Sequence, residues 1–243
     1  MRALRILLII AVILGGLFVA VDRLAVNYAE NEAAERLRAN EGLAESPTVS
    51  IAGFPFLTQV LSGELDEVDA TISDFKASGQ GEAVVIDELT ATMRGVVLAD
   101  DYSSATAERA TGSAVISYDE LLKAARAEPV EIGAGITARV TKLSDGGNGK
   151  IKVGITADVP VIGERDFEVL STVKVVDGDT VEVHADTLPD FPGAGLADQQ
   201  VRRVTDFEEK ITELPRGIAL EKVTAGADGV RISVTGSQVA LIG

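Results

Sequence analysis

The sequence predicts an α+β fold behind an N-terminal apolar helix, with the later helices packing on one face of an antiparallel sheet. Three observations predict it. Residues 6–21 carry no charge and follow Arg2 and Arg5. From Glu64 onward apolar and polar residues alternate over long stretches, the period of half-buried strands. Helical spacing replaces that alternation in two places, one opening at Ser117-Tyr118-Asp119-Glu120 and one over residues 197–213.

The leading segment is apolar all round, which a core helix of a soluble domain is not. With Leu4 and the flanks it gives about 17 helical residues, near the lower limit for crossing a bilayer. Signal cleavage needs small residues at −3 and −1. For cuts after Ala20 and Ala25 the −3 residues are Phe18 and Arg23, so the spacing favours a retained anchor over a cleaved peptide. Arg2 and Arg5, set against Asp22 and the Glu-rich stretch after it, place the N-terminus inside and the rest outside. Residues 1–23 are thus expected to form a signal anchor or signal peptide, and residues 24–243 an extracytoplasmic domain. The expected location is the cell membrane in a single pass, the alternative being secretion after cleavage.

Leu24–Leu43 reads as a helix with Val26, Ala29, Ala33 and Leu37 as its stripe. Ser46-Pro47 ends it, and Thr48–Ile51 suggests a short strand. Gly53-Phe54-Pro55-Phe56-Leu57-Thr58-Gln59 is the densest aromatic spot in the chain. Val84–Ala99 reads as a strand pair or one bent strand, with Gly95 at a bulge. Ser117 and Glu120 have the spacing of a capping box for a short helix. Ile151, Val153, Ile155, Ala157, Val159 and Val161 share one strand face. Residues 145–149 and 177–179 are hairpin turns rich in Asp, Asn and Gly. In the late helix, Val204, Phe207, Ile211 and Leu214 are spaced 3, 4 and 3 apart and line one side. A closing hairpin turns at Asp228-Gly229.

Composition removes several functions. The formal net charge is −16, a field that repels nucleic acid and gives no electrostatic grip on anionic lipid. There is no cysteine, so disulfides, thiol nucleophiles, cysteine–zinc sites and lipidation at cysteine are excluded. The single histidine, His184, shares a strand face with Glu182 and Asp186 and reads as solvent-facing. Zinc catalysis and a Ser-His-Asp triad are hard to build from it. Among 38 acidic residues, Asp100, Asp101, Asp186 and Asp190 sit at strand ends or turns, but none has the apolar setting of a catalytic acid. No glycine pattern cradles a phosphate. Neither catalysis, a cofactor nor a resident metal is expected.

The stretch Val49–Gln59, followed by Gly63, resembles the signature of the LmeA family of actinobacterial envelope proteins, described as phospholipid-binding. Leu214-Pro215-Arg216-Gly217-Ile218-Ala219-Leu220, then Asp228-Gly229-Val230 and Gly236, resembles the same family's closing segment. The resemblance implies a tubular lipid-binding fold, a curved antiparallel sheet wrapped around a long helix. It also implies phospholipid binding in the cell envelope and a part in glycolipid or lipoglycan assembly. Gly53, Thr58 and Gln59 are carried over as family-motif positions. Phe54, Pro55, Phe56 and Leu57 form an apolar cluster suited to gating a lipid tube, or to plugging the core where the fold begins. Val204, Phe207 and Ile211 would supply lipid contacts from the late helix. The expected partners are phospholipid, through an apolar cavity, and the membrane, through the N-terminal helix. No protein partner is identified. The competing reading is an envelope adaptor with a solid core that recruits a partner through its acidic surface.

Overall fold

The apolar segment and the Ala- and Glu-rich stretch after it form one unbroken helix, α1 (Arg2–Glu41). This is seen in a computed structural model of the chain, which describes residues 2–77, 84–99, 104–124, 129–133, 135–187, 202, 205–211, 214 and 216–242. The helix has 40 residues, a length of about 60 Å. Gly42 ends it at φ +62°, and the Leu43 N–H bonds to the Arg38 carbonyl at 2.9 Å, the closure made by a left-handed residue after the last turn. Residues 2–21 are exposed throughout, whereas Asp22, Val26 and Ala34 are buried. The expected stripe is therefore present, and it starts one turn earlier, at Asp22.

After α1 come β1 (Thr48–Ala52), α2 (Phe56–Ser62), β2 (Glu64–Ala77), β3 (Val84–Leu98), β4 (Ala105–Ile116) and α3 (Tyr118–Ala124). Then follow β5 (Val130–Gly133), β6 (Ile136–Gly147), β7 (Lys150–Val159), β8 (Gly163–Val176), β9 (Thr180–Ala185), β10 (Phe207–Lys210), β11 (Ile218–Gly226) and β12 (Gly229–Ile242). The fold is α+β, as the alternation predicts. The strands form two six-stranded sheets, ordered β1-β2-β3-β4-β12-β11 and β10-β9-β8-β7-β6-β5.

The chain gathers into two compact units. The first comprises Met1–Ile72, Thr90–Thr111 and Gly236–Gly243; the second comprises Ser73–Leu89 and Gly112–Thr235. In the first, Val26 of α1 and Phe56 of α2 pack with Leu65, Val96, Ala105 and Ala107. In the second, β6 to β9 form an antiparallel meander with Ile155 opposite Phe167 and Val173 opposite Val183. One core there holds Ala138, Ile155, Ala157, Val169 and Ala185. Another joins Ile151, Val173 and Val183 to Val223, Ala225 and Val230 of the closing hairpin, with Tyr118 and Leu121 of α3 against it. The Tyr118 hydroxyl donates to the Gly226 carbonyl at 2.8 Å.

Several elements differ from the sequence reading. The late helix expected over residues 197–213 does not extend through its second half. The Asp206 N–H closes a helical turn on the Arg202 carbonyl at 2.7 Å, and Phe207–Lys210 then leaves as β10. Phe207 pairs with Val183 and Lys210 with Thr180. The free edge of β9 offers a backbone ladder, and a 3-4-3 apolar spacing does not forbid a four-residue strand. The rest of that expected helix, including Val204, lies outside the described residues. β3 is one strand, with Gly95 at φ +60°. Glu120, read as half of a capping box, instead accepts the Val85 N–H at 3.3 Å and an ion pair from Lys123. Val161 leaves the face it was assigned to: β7 stops at Val159, and Val161 is fully exposed in the following turn at φ +75°.

Two glycines separate backbone strain from collision. Gly229 opens β12 at φ +145°, and a Cβ there would lie 2.2 Å from the Ile116 carbonyl oxygen. Gly147, in the β6–β7 turn at φ +76°, faces open space. Gly229→Ala is expected to cost about 3 kcal/mol or more, and Gly147→Ala about 1 kcal/mol. Chemical denaturation of the two variants side by side measures the difference.

Candidate functional site

The motif Gly53–Gln59 is positioned by a ladder of contacts along α1. Ser46 Oγ donates to Glu35 at 2.9 Å, and the Ile51 N–H donates to Glu30 at 2.8 Å. The Arg23 guanidinium lies 5.2 Å from the centre of the Phe54 ring. The Leu57 N–H donates to Asp22 Oδ1 at 2.9 Å. As the chain advances from 46 to 57, its partners on α1 retreat from 35 to 22. It therefore runs down the helix for about 20 Å and reverses at the motif, beside the end of the apolar segment.

Asp22 fixes that reversal. Its side chain has no solvent exposure, and its second oxygen takes Arg23 at 2.6 Å. A buried carboxylate is tolerated only when its lone pairs are used in this way. The sequence marks Asp22 only as a charge that helps to orient the apolar segment, and not as part of a site. The available signal was its place one turn before Val26, which puts a charge on the buried stripe.

Each motif residue then has a describable task. Gly53 adopts φ +98°, and a Cβ there would meet Asp66 and Gln59 side-chain atoms at 2.5 Å. The Phe54–Pro55 peptide is cis. Gln59 is buried and joins two strand ends: its Nε2 donates to the Ala52 carbonyl at 3.3 Å, and its Oε1 accepts the Asp66 N–H at 2.8 Å. Thr58 Oγ1 donates to the Pro55 carbonyl at 2.8 Å. Gly63 closes α2 at φ +75°. The two phenylalanines part company. Phe56 is 6% exposed within the core, with Leu57 packed against that core, while Phe54 is 57% exposed. The aromatic cluster read from the sequence is thus one core residue and one surface residue.

The other residues expected to contact lipid are not gathered with the motif in one unit. Phe207 begins β10. Ile211 is half-buried and donates its N–H to the Asp179 carbonyl at 2.8 Å.

The polar candidates hold strands together. Asp186 accepts Lys150 and Thr172, each at 2.7 Å, and these two hydrogen bonds hold its pKa below the ordinary aspartate value against some burial. That is the reverse of what a catalytic acid needs. Asp100, Asp101 and Asp190 lie outside the described residues. His184 is half-exposed, and its Nδ1 is 2.8 Å from Asp206. Burial pushes Asp206 upward, but hydrogen bonds from the Ala185 N–H, Thr205 and Arg202 outweigh it and keep the pKa low. Glu182 pairs with Lys174 at 3.0 Å, so Glu182, His184 and Asp186 each serve a different partner. Among the described residues, no three His, Asp or Glu side chains are grouped to hold a metal ion. The buried Ser171 hydroxyl, between Val169 and Val173, finds no partner among the described residues.

These features define an α+β protein led by a helix long and apolar enough to cross a membrane. Its motif holds backbone together and leaves one aromatic ring in the open. The chain belongs to the LmeA-like phospholipid-binding family, whose model matches residues 20–235. The match takes in Asp22, the motif and nearly all of the two sheets. No curated protein and no solved structure matches the chain.

Two predictions follow from these contacts. Asp22→Ala strands the Leu57 N–H in a buried place, at a cost of about 1–3 kcal/mol. Hydrogen exchange should show the Leu57 amide losing protection while the amides of β7 and β8 keep theirs. Asp186 and Asp206 have lowered folded values, so their stabilisation is complete above the unfolded aspartate value of about 3.9 and is lost as pH falls through the folded values. The thermal midpoint of the wild type should therefore fall on acidification below about pH 4, and the Asp186→Asn, Asp206→Asn double variant should show a flatter acid limb.

Proposed function

We propose that this chain is a membrane-anchored phospholipid-binding protein of the cell envelope. Its α1 crosses the membrane with the N-terminus inside, and the two units lie outside. It binds lipid without transforming it and supports glycolipid or lipoglycan assembly by holding or moving phospholipid. Membership of a phospholipid-binding family over residues 20–235 carries this reading. The exposed apolar face of residues 2–21 supports the anchor, and Arg2 and Arg5 before it support the orientation. The proposed lipid contacts are Phe54, Pro55, Phe56 and Leu57 in the first unit, with Phe56 reached only if its core opens, and Val204, Phe207 and Ile211 in the second. Asp186 and Asp206 tie strands together, a structural use of these two carboxylates.

A soluble version should keep Asp22, so residues 20–243 are the piece to purify. Organic extracts analysed by mass spectrometry are expected to contain phospholipid in stoichiometric amount. Extracts without lipid, together with no uptake of added phospholipid, would sink the proposal and favour an adaptor working through the acidic surface.

A further inference from the structure

We propose that the turn Gly53–Leu57 is the membrane-contacting edge of the first unit, with Phe54 seated at the boundary between headgroups and acyl chains of the bilayer that α1 crosses. The inference rests on α1 being a membrane span and adds where the fold meets the lipid.

The contacts along α1 place the turn. Partners at Glu35, Glu30, Arg23 and Asp22 show the chain descending beside the helix and reversing at the level of residues 22–23. The last apolar residue of the charge-free segment is Val21. No linker separates the span from the fold, because Asp22 already belongs to the buried face of α1.

The span is short for its task. Residues 6–21 rise about 24 Å as a helix, against a hydrocarbon core of about 30 Å. The bilayer accommodates a short span by thinning and by drawing the flanking residues into its interface. Those flanks include Arg23, Leu24 and, through the ladder, Phe54. Their chemistry suits that layer. Phe54 and Leu24 are exposed, and Phe and Leu are side chains that interfacial segments sink to the boundary of headgroups and acyl chains. Arg23 is half-exposed beside the Phe54 ring, where lipid phosphates would meet it. Of the two carboxylates at this level, Asp22 is shielded from lipid by the Leu57 N–H and Arg23, and Asp66, exposed beside Gly53, would lie in the hydrated headgroup layer. A membrane edge held by the Phe54 ring and the Arg23 cation does not depend on the overall charge of −16, which gives no attraction to anionic lipid.

The chain has no tryptophan and no cysteine, so single reporters can be placed without background. The full chain is reconstituted in phosphatidylcholine–phosphatidylglycerol vesicles with brominated acyl chains. Three variants are compared: Phe18→Trp within the span, Phe54→Trp in the turn, and Ser46→Trp at the far end of the ladder. Phe18→Trp and Phe54→Trp should each lose at least half of their emission to the brominated lipid, and Ser46→Trp should keep its emission. Quenching of Phe18→Trp without quenching of Phe54→Trp overturns the interfacial turn and leaves the anchor standing. No quenching of Phe18→Trp overturns the anchor, and the turn proposal with it. Should Phe54→Trp fail to reconstitute, Thr58→Cys carrying an environment-sensitive dye reads the same turn. A dye as open to water-soluble quencher in vesicles as on the unfolded chain overturns the proposal.

Discussion

The interaction on which the first unit depends is a buried carboxylate accepting a backbone N–H, Asp22 to Leu57. It sits where the surroundings of α1 change, with the exposed, mostly apolar residues 2–21 on one side and a folded core on the other. The position is sensitive to rotation. One residue of slip turns a helix by about 100°, which would take Asp22 away from α2 and leave both the carboxylate and the Leu57 N–H without partners. Val26, one turn on, then enters the core beside Phe56. The hydrogen bond fixes rotation and height together, and apolar packing fills in behind it.

The second unit solves a different problem, holding a long meander without cysteine and with few aromatics. It does so by using acids as ties between strands. Asp186 connects β9 to the start of β7 and to β8 through Lys150 and Thr172. Asp206 caps the end of β9 through the Ala185 N–H. Around the 177–179 turn, the Asp179 side chain takes Lys210, its carbonyl takes the Ile211 N–H, and the Gly178 carbonyl takes the Leu220 N–H. Single exposed ion pairs contribute little to stability. These acids matter because they also satisfy backbone donors and side-chain hydroxyls, and part of the strong negative charge is therefore structural.

What was legible follows from which forces are local. The meander β6 to β9 was readable because its faces alternate and its turns announce themselves: Asp145 accepts the Gly147 N–H at 2.8 Å, and Asn148 and Asp177 take left-handed conformations. β4 carries alanines, with only Val115 and Ile116 as larger apolar side chains, so its burial at Ala105, Ala107 and Ala110 left no strong alternation to read. β10 was misread because the Phe207–Leu214 spacing fits a helix, and only the free edge of β9 decides otherwise. In the motif, composition identified an apolar turn, but the separation of Phe56 inward from Phe54 outward depends on α1, more than twenty residues earlier. Asp22 was invisible as a site for the same reason, since its partner is 35 positions away.

The division of labour inside the motif explains how one short turn can be structural and still present an aromatic ring outward. Gly53 and Gln59 leave no room to vary, because a Cβ at 53 would strike the Gln59 amide and Asp66, and that amide joins β1 to β2. Phe56 is committed to the core. With these three holding the backbone, Phe54 is presented outward by a frame that does not need the ring for its own stability. An exposed aromatic on a flexible loop would bury itself at little cost; one held by a buried carboxylate and a bridging glutamine has no such escape. A ring held outward in this way stays available to whatever phase the turn meets. For a turn beside the end of an apolar helix, in a family that binds phospholipid, the proposed membrane edge would make that phase lipid.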